Sequence, residues 1–251
     1  MHKLTAIIPC KNEEDNIENV IKSVDFADEV MVVDSFSTDK TVELARKHTD
    51  FILEREYSYP ADQKNWAIPQ ANNEWILLLD ADERATDGLK EEVQELLRSN
   101  PQKDAYWIRR ENYFMGKKLH FGGTQSDRVI RLFKRDSCRY EDKKLHEEII
   151  TAGDVGILKN KLVHYSYKSL EHYLDKITRY TVYGAKDFDS KTGTITPYHY
   201  VIKPAFKFVS FYVFKLGFLD GFVGFVVAAL ASYSVLLRYV KLAEIRRGKN
   251  K

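Results

Sequence analysis

Glu74-Trp75-Ile76-Leu77-Leu78-Leu79-Asp80-Ala81-Asp82 is the stretch on which the fold turns. Five consecutive large apolar residues, bounded by acidic ones, are too short a run for a buried helix and match a strand covered on both faces. Upstream, Leu4 to Ile8 is a second such run, ended by Pro9, and Glu29 to Val33 is a third, closed by Asp34. Asp50 to Leu53 reads as a shorter strand. Between them, Ile17, Val20, Ile21 and Val24 recur at helical spacing, and Thr41 to Lys47 follows a Thr38 or Asp39 cap. Asp62 to Gln70 and Gly88 to Arg98 are further helices. Apolar strands alternating with helices imply an α/β fold, a Rossmann-like, mainly parallel sheet with helices on both faces.

In such a sheet ligands bind beyond the carboxyl ends of the strands. The polar residues fall there: Asn12 and Glu13 after the first strand, Asp34 after the second, Asp80 and Asp82 after the fourth. Two carboxylates two residues apart on an extended segment share a side. They suit a hard divalent cation, Mg²⁺ or Mn²⁺, whose remaining positions are filled by substrate phosphates. Such an ion neutralises charge growing on a diphosphate leaving group.

Composition bounds the alternatives. The 251 residues are 44% hydrophobic, 30% charged and 13% aromatic, with a formal charge of +2, which excludes a disordered chain and bulk nucleic-acid affinity. Cys10 and Cys138 make no disulfide framework or metal ribbon, as expected in a reducing compartment. The start MHKLTAIIPCKNEE lacks a secretory apolar core and reads as part of the fold. No internal repeat is evident. A nucleotidyltransferase would need a glycine-rich basic phosphate loop after the first strand, and CKNEE is not one.

The segments TAIIPCKNEEDNIENVIKSV, VMVVDSFSTDKTVELA and WILLLDADE together resemble glycosyltransferase family 2, of the GT-A fold, over residues 3–100. The resemblance implies an inverting, metal-dependent enzyme using a nucleotide-diphosphate sugar. Pro9, Asn12 and Glu13 would line the nucleoside pocket, with Asp34 on the base or ribose. Asp80 would contact the ribose or metal, Asp82 would be the main metal ligand, and Ala81 joins the donor-binding set. Lys64 and Asn65, in ADQKNWA, match a basic residue and an Asn that the family places near the donor. Where the family often has Asp-Asp-Gly-Ser, this chain has Asp34-Ser35-Phe36-Ser37.

From Ala105 to Leu162 the pattern changes to short aromatic strands, AYWIRREN, RVIRLFKR and KLHEEII, expected as mixed or antiparallel additions. RLF followed by His146-Glu147 resembles a bacterial subgroup that includes lipopolysaccharide core enzymes. Inverting transfer needs a group to take the acceptor proton. Glu147 is the first candidate base and Asp127, beside Gly122-Gly123, the second. His164 at a strand end is a candidate distal metal ligand, with His146 behind it. The implied acceptor is a lipopolysaccharide core or other lipid-linked glycan and the implied donor UDP-glucose; a polyprenyl-phosphate glycosyltransferase is the enzymatic alternative.

Residues 169–190 read as a helix, and 205–237 are the most apolar in the chain, with Asp220 the single charge between Lys215 and Arg238. Length permits a membrane span, but a cytoplasmic donor and the basic tail RRGKNK place both ends on the same side. The expectation is a transferase domain over 1–190, with a nucleotide-sugar half (1–100) and an acceptor half (101–165). A helical segment over 191–251 would lie on the inner leaflet, held by Lys203, Lys207, Lys215, Arg238, Lys241, Arg246 and Arg247. The enzyme would then be cytoplasmic, peripheral or monotopic. Burial in a core or a homodimer interface is the alternative for this segment, and a non-catalytic membrane-binding module the alternative for the chain.

Overall fold

Strand β4 (Trp75–Leu78) sits at the centre of the sheet, and every residue in it is buried. It pairs in parallel with β1 (Leu4–Cys10), in the register Thr5↔Ile76 and Ile7↔Leu78. The chain is seen here in a computed structural model that describes residues 2–143, 147–167 and 170–249. β1 pairs in parallel with β2 (Glu29–Asp34), and β2 with β3 (Ile52–Glu54). The helices between them are α1 (Ile17–Ser23), α2 (Thr41–Ala45) and α3 (Pro60–Ala67), the last extended by one 3₁₀ turn, Ile68–Gln70. The run 62–70 predicted as a single helix tightens there because Pro69 has no N–H to give the ladder.

Alternation along the strands explains why they are apolar throughout. Ala6, Ile8, Val32, Trp75 and Leu77 pack on one face with Ile17, Val20 and Ile21 of α1 and with Leu89, Val93 and Leu97. Ile7, Met31, Val33, Ile76 and Leu78 pack on the other with Ala61 and Ala67 of α3. Successive residues thus feed opposite cores, as period two requires.

Beyond β4 come a short strand that the sequence pattern does not anticipate, β5 (Glu83–Ala85), and helix α4 (Asp87–Arg98). Thr86 caps α4, its hydroxyl accepting from Leu89 N at 3.2 Å. The aromatic strands are β6 (Ala105–Phe114), β7 (Lys117–Lys118), β8 (Arg128–Lys134), β9 (Cys138–Tyr140), β10 (Ile149–Thr151) and β11 (Val155–Tyr167). Among the described residues the large sheet runs β3-β2-β1-β4-β8-β6-β11-β5, with β7 on β6 and a separate β9–β10 pair. β8 lies antiparallel to β4 and β6, as expected for this half. Of the described part of the KLHEEII segment, Ile149 and Ile150 fall in β10; residues 144–146, His146 among them, lie outside the described residues.

The chain divides into two compact units, Met1–Glu111 with Arg128–His164, and Asn112–Asp127 with Tyr165–Lys251. The second contains α5 (Leu170–Asp189), α6 (Lys203–Val209) and α7 (Gly221–Lys249). One-turn π segments flank α6, Tyr198–Ile202 and Ser210–Phe214. Phe114, Tyr173 and Ile177 pack with Val223, Val226, Val227 and Leu230 of α7. α6 and α7 form a hairpin whose turn depends on two close approaches. A Cβ on Gly224 would sit 1.8 Å from the Gly217 carbonyl, and one on Gly217 2.6 Å from the Phe211 carbonyl. Gly221 adopts φ +64 at the start of α7, open to glycine without strain.

Leu77 is fully buried in the larger core. Leu77→Ala is expected to cost about 2–5 kcal/mol, with an unchanged m-value, measured by urea unfolding.

Candidate active site

Parallel pairing sets Cys10 opposite Asp34, so the loops after β1 and β2 leave the same edge of the sheet. Asp34 is buried, and its carboxylate accepts from Ser37 N at 2.8 Å and Ser37 Oγ at 2.5 Å. Ser37 Oγ accepts in turn from Asn12 N at 2.8 Å, and Asn12 Oδ1 accepts from Thr38 N at 2.8 Å. Glu13 N donates to Thr41 Oγ1 at 2.7 Å, and Glu13 Oε2 accepts from Asn16 Nδ2 at 2.6 Å. Asn12 and Asp34 are therefore joined through Ser37, with Glu13 tied to the start of α2 beside them and half-buried Pro9 preceding both in β1. Asn12 has φ +54, which its amide side chain tolerates; Phe36 has φ +56 and is exposed, a left-handed position that costs a bulky residue roughly 1–2 kcal/mol. Phe36 stands where the resembled motif often has glycine.

α3 brings three polar side chains toward this edge. Gln63 Nε2 donates to Ser35 Oγ at 2.6 Å. Asn65 clasps the backbone of Tyr140 both ways, Nδ2 to the carbonyl and Oδ1 from the amide, each at 2.8 Å. Lys64 lies between them, its side chain only 8% exposed, with Nζ 3.3 Å from Asp80 Oδ1 and 3.0 Å from Glu147 Oε1. It also lies over the Tyr140 ring, 5.0 Å from the centroid.

Arg131, from the middle of β8, completes the cluster. Its Nη2 contacts Asp80 Oδ2 and donates to Glu83 Oε1 at 2.9 Å, and Nη1 donates to Tyr140 Oη at 3.4 Å. Glu83, fully buried, also takes the Asp80 amide through Oε2 at 3.0 Å and faces Arg110 at 3.4 Å. Arg131 Nε is buried without a hydrogen-bond partner among the described residues. Burial alone would raise the Asp80 carboxyl, but Arg131 and then Lys64 overcome it and hold the group well below the usual carboxylate range. Burial likewise works against the Lys64 ammonium, and Asp80 overrides it, raising Lys64 above the ordinary lysine value. Burial pushes the Tyr140 phenol up.

The other member of the acidic pair points elsewhere. β5 pairs antiparallel with β11 in the register His164↔Glu83, which carries the imidazole across to the Asp80–Asp82 turn. His164 Nε2 lies 3.6 Å from Asp82 Oδ2, and both side chains are largely buried. Arg84 pins the same turn, donating to Ala81 O at 2.7 Å and to Asn16 Oδ1 at 3.1 Å. Among the described residues no three His, Cys, Asp or Glu side chains form a preformed ion site. Asp80 is turned to Arg131 and Lys64, so the candidate metal set of Asp80, Asp82 and His164 is brought together only as the Asp82–His164 pair. A carboxylate and an imidazole still fit a divalent ion that takes its other ligands from phosphate and water.

Asp127 belongs to the second unit, where its carboxylate accepts from Asn112 Nδ2 at 2.7 Å. Gly122 and Gly123 before it have φ +70 and +93. Gln63, Glu83, Arg84, Arg131 and Tyr140 were not foreseen. Glu83 and Arg131 had a signal, since a charge inside or just after the strand runs WILLLDADE and RVIRLFKR must find a partner when buried.

The sequence profile described as glycosyl transferase family 2 matches residues 5–154, more than half of the chain. The chain belongs to glycosyl transferase family 2. Within that family it is 28% identical to the lipopolysaccharide core biosynthesis glycosyltransferase LpsC of Rhizobium meliloti, over 94% of this chain and 93% of LpsC. An uncharacterised glycosyltransferase of Rickettsia typhi is 27% identical over 98% of this chain and 88% of its own length. Among solved structures, glucosyl-3-phosphoglycerate synthase from Mycobacterium tuberculosis, in complex with Mg²⁺ and UDP, aligns with a TM-score of 0.37. That alignment has 19% identity and covers 44% of each chain. The family match covers the loops after β1 and β2, Lys64, the Asp80–Asp82 turn, Arg131 and Glu147.

Arg131→Ala is expected to destabilise the transferase by about 3–5 kcal/mol in denaturant unfolding, because Glu83 is left buried beside a lost partner. The pH dependence has a definite sign. A carboxyl held low in the fold contributes stability above its unfolded value, ~3.9, and loses it as pH falls through the lowered one. Melting temperature followed from pH 7 to pH 2 should keep the Asp80 contribution into the ordinary carboxylate range, and Arg131→Ala should begin losing it at higher pH.

Proposed function

We propose that this family 2 enzyme transfers a hexose, with inversion, from a nucleoside-diphosphate sugar to a saccharide acceptor, and that the donor is UDP-glucose. The observation that carries this reading is the Lys64 ammonium held between Asp80 and Glu147. It joins the acidic end of β4 to a glutamate 67 positions along the chain, so a donor-edge carboxylate and a candidate base share one cation.

Glu147 takes the proton of the acceptor hydroxyl as that oxygen attacks the anomeric carbon from the face opposite the nucleotide. The bond from that carbon to the diphosphate oxygen breaks, and its electron pair leaves with the diphosphate. Asp82 and His164 would hold a divalent cation, Mg²⁺ or Mn²⁺, which when bound offsets charge on the departing diphosphate. Lys64 adds a second positive charge on that side, fixed in place by Asp80. Asn12, Glu13 and Asp34, with Pro9, form the nucleoside side of the pocket. Asn65 holds the Tyr140 backbone beside Lys64, and Ala81, whose carbonyl Arg84 holds, keeps the turn shape between Asp80 and Asp82. Asp127 is the reserve candidate for the base.

The full-length similarity to a lipopolysaccharide core enzyme supports a core oligosaccharide or other lipid-linked glycan as acceptor. We place the enzyme at the cytoplasmic face of the membrane, with residues 205–237 toward the lipid.

A panel of nucleotide sugars screened with and without Mn²⁺ should give one donor whose addition raises the melting temperature only with the ion. Asp82→Ala is expected to abolish that shift, and His164→Ala to weaken ion affinity about 10-fold or more. Persistence of the shift in Asp82→Ala would remove Asp82 as ligand. Glu147→Gln should lower kcat by at least about 100-fold while leaving donor affinity nearly unchanged. Full turnover in Glu147→Gln would move the proton acceptor to Asp127, or favour a phosphate acceptor that needs no base.

A further inference from the structure

The turn of the α6–α7 hairpin carries two charges and a set of large apolar side chains, and the two groups face different ways. Asp220 accepts from the backbone amides of His120, at 3.1 Å from each carboxylate oxygen, and of Phe121 at 2.9 Å. Lys215 lies against Gly123, where a Cβ would meet Nζ at 2.9 Å, and its ammonium sits 4.5 Å from the Phe211 centroid. The Lys215 carbonyl accepts from Gly122 N at 2.9 Å. The Asp220 charge is therefore spent on the 120–123 loop, and the Lys215 side chain lies against it. The side chains left on the outside are Phe214, Leu216, Phe218, Leu219 and Phe222, with Phe214 69% and Phe222 78% exposed.

We infer that this turn is a lipid-insertion tip, which enters the acyl region of a bilayer carrying anionic headgroups. The inference deepens the membrane-facing part of the proposed function and rests on it. Three observations select lipid over a protein partner. The exposed side chains offer no hydrogen-bonding group, whereas protein interfaces carry about one hydrogen bond per 100–200 Å². On the arm just behind the tip, Lys203 and Lys207 stand with no acidic residue from 203 to 214, which complements an anionic surface. The most apolar 18-residue window within Gly217–Gly248 has a mean hydropathy of 1.8, yet only 11% of it is buried by the protein.

Geometry sets the depth. Between Lys207 and Lys215 stand seven uncharged residues, Phe208 to Phe214, which make about 10 Å of helix. That matches the ~5–10 Å reached by interfacial helices. It falls well short of a hydrocarbon core of ~30 Å. The hairpin also returns on itself, Ser232 Oγ donating to the Pro204 carbonyl at 2.8 Å, so the chain leaves on the side where it entered.

The test uses the full chain and vesicles of phosphatidylcholine with or without phosphatidylglycerol, and needs no turnover. Flotation should recover the protein with the anionic vesicles, and Phe214→Ser/Phe222→Ser should weaken binding about tenfold or more. The melting temperature of that variant should stay unchanged, since both side chains are exposed. In Phe222→Trp, emission should shift to the blue on vesicle addition and be quenched by acyl-brominated lipid. If the wild-type chain floats but the double substitution does not matter and the indole emission of Phe222→Trp is not quenched, the tip is wrong while membrane association stands. If the wild-type chain does not float and light scattering shows a dimer that the double substitution dissociates, a second copy covers this surface and both readings fall. A monomer that does not float overturns both as well.

Discussion

A lysine ammonium buried among carboxylates is stable only while those carboxylates remain, and each carboxylate is kept ionised by the cations around it. Lys64, Arg131, Asp80, Glu83 and Glu147 form such a set. They come from separate elements, so the cluster ties α3, the turn after β4, β5, β8 and the segment before β10 to one another. Charges removed from water in this way add little net stability, but they are strongly directional. What they secure is the position of the loops at the carboxyl edge of the sheet. The apolar alternation of β1, β2 and β4 supplies the stability instead.

This division of labour explains the behaviour of Asp80 and Asp82. Period two puts them on one side of an extended chain, and on that ground the sequence makes both candidates for an ion. The chain does not stay extended. Glu83 N donates to the Asp80 carbonyl at 2.9 Å, making a turn, and the two carboxylates part. Asp80 goes to the buried cations and Asp82 to His164. One aspartate organises the buried cluster, and the other stands beside an imidazole.

The parallel half of the sheet was legible because residues such as Ile7 and Ile76 are buried in a run of apolar neighbours, and nothing but a covered strand tolerates such runs. The gathering of Asn12, Asp34 and Asp80 at one edge follows from parallel pairing alone. His164 could be suspected, but its partner strand could not: β5 is three residues long and carries a charged residue fully buried at its start. No local pattern distinguishes that from a loop. Arg131 was hidden similarly, since a lone arginine in an apolar strand does not name its partner, and its carboxylate partners lie 48 and 51 positions away. That Asp220 is the single charge between Lys215 and Arg238 was legible in the sequence. That Asp220 would be consumed by two amides near residue 120 was not, because sequence separation of that size leaves no trace in composition.

Both thiols in the chain are sequestered. Cys10 donates to Asp34 at 3.6 Å and is pushed well above the ordinary thiol range by burial and by that carboxylate, and Cys138, buried in β9, is raised in the same direction. Neither is a ready nucleophile for maleimide chemistry. A cysteine placed anywhere on the surface would consequently be the one reactive handle, allowing a dye or spin probe to be attached without first stripping the native sulfur from the protein.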